Sequence, residues 1–261
     1  MEWKKAKWLI IALLLAVNIV LGINIATRYT RALSRELDSL RAAVEIAPES
    51  YGFDFETFAQ LPRYMYSCRG TRDLLAESYI ASSIVHGTAG STDEGGGIYI
   101  YNSPGIERVV FRRGGNMAGI VTFDQNINIP EVIIESARLS GLDTEGTGDE
   151  LAFYYDEYPV SNAYYSQTVY GEYTSLTGVV PLADSWTRQE RGRSRGEMVL
   201  VLKNIMEEHS LGSLLGVKAV YFAEASDSAT HMLTPAWQVE CTGGSFVVSL
   251  IDKSLLETDF K

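Results

Sequence analysis

The sequence predicts an α+β fold: an N-terminal transmembrane helix followed by two lobes, each a helix packed on an antiparallel sheet. Three observations predict it. Trp8–Ala26 (WLIIALLLAVNIVLGINIA) runs 19 residues without a charge. Beyond it, an amphipathic helical segment followed by three strand-like runs occurs twice. The acidic, glycine-containing stretch Asp143–Glu150 separates the two occurrences. The chain therefore divides into a head (1–7), a span (8–26), a helical stalk (27–47) and two lobes (48–150 and 151–257).

A helix needs about 20 mostly apolar residues to cross the hydrocarbon core of a bilayer, and Trp8–Ala26 meets that length. Lys4, Lys5 and Lys7 flank one end and Arg28 and Arg31 the other, with Trp3, Trp8 and Tyr29 at the levels where interfacial aromatics sit. The run exceeds the roughly 7–15 residues of a signal-peptide core, and no A-x-A cleavage site follows it. Basic residues on the two sides nearly balance, with Arg28, Arg31, Arg35 and Arg41 on the far side, so charge leaves the orientation open. Within the span, Asn18 and Gly22 lie four residues apart on one helix face, and Ala12 and Ala16 form a second small-residue pair. Such positions let a partner helix approach closely and hydrogen-bond. Asn24 lies nearer the water.

Thr30–Ala47 reads as a helix with Leu33, Leu37, Leu40 and Val44 on one side, ending at Pro48. Glu49–Arg69 is irregular and aromatic, a composition that packs against a sheet. Thr71–His86 reads as an amphipathic helix stopped by Gly87, and STDEGGG (Ser91–Gly97) as a turn or loop. Strands are expected at Gly97–Asn102, Ile106–Arg113 and Met117–Asp124, separated by Pro104-Gly105 and Gly114-Gly115-Asn116. Pro130 opens a helix to Leu139. Leu151–Tyr158 and Ala163–Gly171 follow as strands, and Arg188–Gly196 as a loop holding Arg188, Arg191, Arg193 and Arg195. Glu197–His209 is helical. Gly216–Ala225, Met232–Cys241 and Gly244–Asp252 are the last strands expected.

From Arg28 onward there are 19 Lys and Arg against 32 Asp and Glu, a net of −13. A body that acidic is not a nucleic-acid-binding surface. No HExxH, GxSxG, Walker or GxGxxG pattern is present, so no catalytic residue, cofactor or metal is expected. His86 and His209 fall at expected helix C-termini, where they complement the dipole, and His231 falls at a strand start. Asp143–Glu150 lacks the ligand spacing of a calcium loop. The basic loop is solvated, or meets an acidic partner or lipid headgroups. Cys68 and Cys241 form no CxxC motif; a single long-range disulfide or two buried thiols are the alternatives.

Two separated stretches resemble one known family. Glu2, Trp3, Lys4, Lys7 and Asn18 in MEWKKAKWLIIALLLAVNIVLG are similar to the start of the YycI family. Leu233, Pro235, Trp237 and Val239 carry its Leu-x-Pro-x-Trp-x-Val signature, preceded by the aromatic pair Tyr221-Phe222. Ser166-Gln167-Thr168 resembles a short element of its middle region. The chain departs from the family at Val248-Ser249-Leu250, where Val-Asn-Ala and a glycine close the family pattern. The resemblance implies a membrane-anchored accessory regulator of a two-component sensor histidine kinase controlling cell-wall metabolism in Gram-positive bacteria. It implies a cytoplasmic head, an external body that holds the helix or senses an unidentified ligand, and action alongside a YycH-like protein. It makes Asn18 and Gly22 the leading partner-helix contacts, beside the Ala12 and Ala16 pair read from the spacing, and marks Trp3, Tyr221, Pro235 and Trp237 as structural positions. The alternative reading is an external binding module of the PepSY kind, such as a protease inhibitor or envelope chaperone.

Overall fold

A computed structural model of the chain describes residues 3–86, 90–103, 105–124, 126–146 and 148–260; for residues 4–6 it describes the backbone alone. Met1 and Glu2 of the expected head, the stop at Gly87, and Pro104 and Thr147 lie outside these residues. The first element, α1 (Trp3–Ile46), is one uninterrupted helix of 44 residues, about 66 Å long at 1.5 Å per residue. The expected span and stalk are therefore a single rod. Residues 7–26 are exposed on all sides. Its last part is one-sided: Leu33, Leu37 and Val44 are half-buried, and Leu40 and Ala43 are buried. The leucine stripe read from the sequence is the face by which the rod joins the body.

The other helices begin where capping residues satisfy free backbone N–H groups. Asp73 accepts from Ala76 N at 2.9 Å to start α3 (Leu74–Ile84). Asn128 caps α4 (Ile129–Leu139), with proline in its first turn. Ser194 caps α5 (Arg195–Glu208). A short α2 (Phe55–Ala59) lies in the aromatic stretch.

Among the described residues, fourteen strands join in one sheet. One group comprises β1 (Tyr66–Arg72), β10 (Ala183–Arg191), β11 (Leu214–Asp227), β12 (Thr230–Cys241), β13 (Gly244–Ser249) and β14 (Leu255–Phe260). The other comprises β2 (Gly90–Gly95), β3 (Ile98–Asn102), β4 (Arg108–Phe111), β5 (Asn116–Thr122), β6 (Asp143–Glu145), β7 (Glu150–Tyr155), β8 (Tyr158–Tyr170) and β9 (Tyr173–Val179). The groups meet where β11 and β8 run parallel, with Tyr221 opposite Val160.

α3 precedes antiparallel β2, β3, β4 and β5, and α5 precedes antiparallel β11, β12 and β13. Strand pairing nevertheless crosses the expected boundary at residue 150. β1 lies between β10 and β12, and β9 pairs with β5 and β8. The acidic stretch is a hairpin of β6 with β7 rather than a linker. One continuous cluster of buried side chains runs from Leu40 of α1 to Leu250, through both strand groups. STDEGGG supplies most of β2, and the expected basic loop begins inside β10.

Pro235 sits in the middle of β12, where a proline normally breaks a ladder. Here β1 pairs with β12 up to Leu233 and β13 takes over at Ala236. The Pro235 carbonyl accepts from Leu250 N at 2.8 Å on that side. The missing N–H therefore faces the handover between two partner strands. Trp237, two residues on, is 1% exposed and packs its ring 5.8 Å from Phe58.

Candidate functional site

Two parts of α1 carry the functional argument. In the span, Asn18 and Gly22 are exposed on one face, and a Cβ at Gly22 would meet nothing within 4 Å. Asn24 donates to the Val20 carbonyl at 3.0 Å, within its own helix. Among the described residues Asn18 makes no side-chain hydrogen bond, so its amide stays open to a neighbour. Ala12 and Ala16 are exposed on a different face, and Trp3 is exposed in the first turn.

In the docked part, Glu36 is the centre. Its side chain is 8% exposed, and its carboxylate accepts from Arg195 Nε at 2.9 Å and from Arg63 Nε. Arg195 also donates to the carbonyls of Ala59 and Leu61 at 2.7 and 3.2 Å. One guanidinium thus fastens α1, α5 and the chain after α2 together. Gly196 permits the close crossing of α1 and α5: a Cβ there would come within 2.9 Å of Ser39 Oγ and 3.0 Å of its carbonyl. The Arg41 guanidinium lies 5.0 Å from the Phe55 ring centre on the next turn.

Helical geometry relates the two parts. Asn18 and Glu36 are eighteen residues apart, as are Gly22 and Leu40. At about 3.6 residues per turn this is roughly five full turns. The Asn18–Gly22 face is therefore in line with the face that docks on the body. Ala12 and Ala16 project by the same count onto Thr30 and Ser34, which are exposed. The structure separates the two pairs that the sequence offered as partner contacts: one lies beneath the body, the other away from it.

The other chemically notable groups lie in the body. Arg72 and Glu77 form a buried ion pair through Nε–Oε1 at 2.6 Å and Nη2–Oε2 at 2.9 Å, and Arg72 also donates to the Gly97 carbonyl at 2.6 Å. His231, opposite Gly70 of β1, is 1% exposed, and neither ring nitrogen meets a partner among the described residues. Burial, helped by the Arg72 charge, pushes its pKa down to about 4. His86 was expected to cap a helix, but α3 ends at Ile84. Its Nδ1 instead meets Glu107 Oε1 at 2.7 Å and its Nε2 meets Asp124 Oδ2 at 3.2 Å, which raises its pKa. Burial opposes ionisation of Glu107, but hydrogen bonds from Thr122 and His86 prevail and hold it at about 2. His209 is the residue after α5, with its ring against Phe260. No group of three His, Cys, Asp or Glu among the described residues could hold a metal.

Tyr221 is buried with its ring centre 5.2 Å from that of Tyr155, and with Pro235 and Trp237 it belongs to the interior. Cys68 and Cys241 are free and buried. Cys68 lies opposite Leu233, eight residues along β12 from Cys241, a separation of about 26 Å at 3.3 Å per residue. A disulfide needs Cα atoms within about 7 Å, so that alternative is closed.

These features define an α+β body carried on one N-terminal helix long and apolar enough to span a membrane. No protein-family model matches the chain, and no curated protein matches it. Among solved structures it is similar to an uncharacterized protein from Eubacterium rectale, with 11% identity over 76% of this chain and 87% of that one, at a TM-score of 0.43. A likeness at that level carries no functional argument.

Proposed function

We propose that this chain is a single-pass membrane protein with a cytoplasmic head and an external, non-catalytic body. In this reading it regulates a sensor histidine kinase of cell-wall control by association, together with a YycH-like protein, as the resemblance to the YycI family implies. The observation that carries the reading is the continuity of α1. A partner helix packed at Asn18 and Gly22 lies in line with Glu36 and Leu40, so it also lies under the body. A rod fixed at one end by buried ion pairs transmits rotation or tilt of the body to the span without a joint. A kinase with two signalling states is biased only by contacts that differ between them, and this rod offers such contacts.

The test is co-purification of the native membrane protein with the kinase. Asn18→Leu and Gly22→Leu are expected to lower kinase recovery and change its phosphorylation. If both leave recovery unchanged while removal of the body abolishes it, the regulator acts through its body and the helix reading fails. A second reading, an external binding module, is favoured by one feature: a cleft of about 410 Å³ on the β1–β12–β11 face, with Arg69, Glu190, Glu224 and Asp252 among its lining residues. Binding of a peptide or small ligand there, unaffected by changes in α1, would support it.

A further inference from the structure

The basic loop read from the sequence is dispersed by the fold, and one of its members joins a stack of side chains that starts on α1. Arg188 pairs with Asp156 at 3.2 Å, and Arg195 is buried on Glu36. Arg191 takes a different position, with its guanidinium 4.3 Å from the ring centre of Tyr64. The other neighbour of that ring is Arg63, at 4.8 Å, and Arg63 also lies 5.5 Å from the ring centre of Tyr29. Tyr29, Arg63, Tyr64 and Arg191 thus form an alternating stack of rings and guanidinium groups leading from α1 into the body.

The height of this stack is set by α1. Tyr29 is three residues beyond Ala26, the last residue of the uncharged run, which is about 4.5 Å along the axis. The headgroup layer adds roughly 5–7 Å on each side of the hydrocarbon. The stack therefore begins inside that layer. Tyr29 is 62% exposed and Tyr64 38%, and Arg191 and Arg193 are exposed. Arg28 and Arg31 are exposed on the same two turns of α1. The acid facing this region from α1 is Glu36, which already carries two arginines, Arg63 and Arg195. Glu190 lines the cleft with Ser67 and Arg69 rather than the stack, and Asp252 accepts from Ser254. An otherwise strongly acidic body thus presents a basic and aromatic patch that starts on Tyr29, just beyond the uncharged run.

We propose that this patch, built on Tyr29, Tyr64 and Arg191 and flanked by Arg28, Arg31 and Arg193, binds the phosphate groups of anionic lipids in the leaflet from which α1 emerges. The inference rests on α1 spanning the bilayer. It adds a second attachment, which fixes the tilt and rotation of the body on its rod and makes both depend on lipid charge.

Hydrogen exchange of the full-length chain tests this in nanodiscs of phosphatidylcholine or of a mixture rich in phosphatidylglycerol. Segments 61–66 and 189–193 are expected to exchange about threefold more slowly in the anionic discs. The difference should vanish at high salt (~0.5 M) and in the Arg191→Glu/Arg193→Glu double variant. The distal strand β3 should exchange alike in every arm, showing that the variant is folded. Equal exchange in both kinds of disc, with the chain incorporated, overturns the proposal and leaves the anchor standing. Equal protection by millimolar inorganic phosphate in neutral discs also overturns it, in favour of a free-anion site. A chain recovered outside the discs overturns the anchor itself and this inference with it.

Discussion

The two ends of α1 belong to one helix and obey opposite rules. In the span the leucines face outward, with Leu14 58% exposed, and no side chain carries a charge. In the docked part the sequence is half polar, yet Leu40 is 0% exposed and Glu36 sits between two guanidinium groups. The lower end takes its stability from the solvent around it, and the upper end takes it from contacts with residues far away in sequence. Mutations should therefore act on the two ends by different routes.

The largest effect is expected at Glu36. Glu36→Ala leaves Arg195, whose side chain is 6% exposed, without its anion. Breaking a buried pair this way costs about 3–5 kcal/mol, or roughly 6–20 °C in melting temperature for a body of this size. Thermal unfolding in detergent measures it, and an unchanged midpoint would show that α1 is not fastened there. Next, Leu40→Ala should destabilise the body by about 3 kcal/mol, while Leu14→Ala should leave body melting within about 0.5 kcal/mol. Equal losses from the two leucines would erase the distinction between the ends.

Acid separates the ends in a third way. His231 titrates near 6.5 when unfolded and near 4 when folded. Its contribution is complete above the unfolded value and is lost as pH falls toward the folded one, by up to about 3 kcal/mol. Trp8–Ala26 holds no titratable side chain. Circular dichroism near pH 4 should show the body weakened with the span still helical, and His231→Leu should remove most of the acid sensitivity. The smallest effect is expected within the span. If the proposed function holds, Asn18→Leu should weaken kinase association by about 0.6 kcal/mol, close to threefold. Asn24→Leu, whose amide is already bonded to Val20, should change association less.

What the sequence discloses follows from how each segment is stabilised. Segments whose apolar residues repeat at helical or alternating spacing were readable: the span, the Leu33–Val44 stripe, α3, α4, α5, and the strands β3 to β5 and β11 to β13. β2 was not, because Gly90–Gly95 is exposed throughout and is held by backbone pairing to β3. β10 hid for the same reason, with one buried residue at its start and charged side chains along an outer edge. β9 is built largely of Thr, Ser and Gly, and a short C-terminal β14 pairs with β13 alone. At the candidate site, the small and polar positions of the span were visible as a local pattern. The Glu36–Arg63–Arg195 junction was not, since its members are 27 and 159 positions apart and no periodicity marks them.

The placement of β1 between β10 and β12 has a consequence for biosynthesis. Residues 66–72 leave the ribosome early, but the strands that hold them end at residues 191 and 241. At roughly 5–20 residues per second, the anchor would be in place for on the order of ten seconds before its body can close. Until then the aromatic stretch around Phe58 and the Leu40 face of α1 stay uncovered at the bilayer surface. A folding helper acting on the nascent chain would find its substrate there, and truncation within the last strands should trigger disposal of the whole protein rather than release a working N-terminal half.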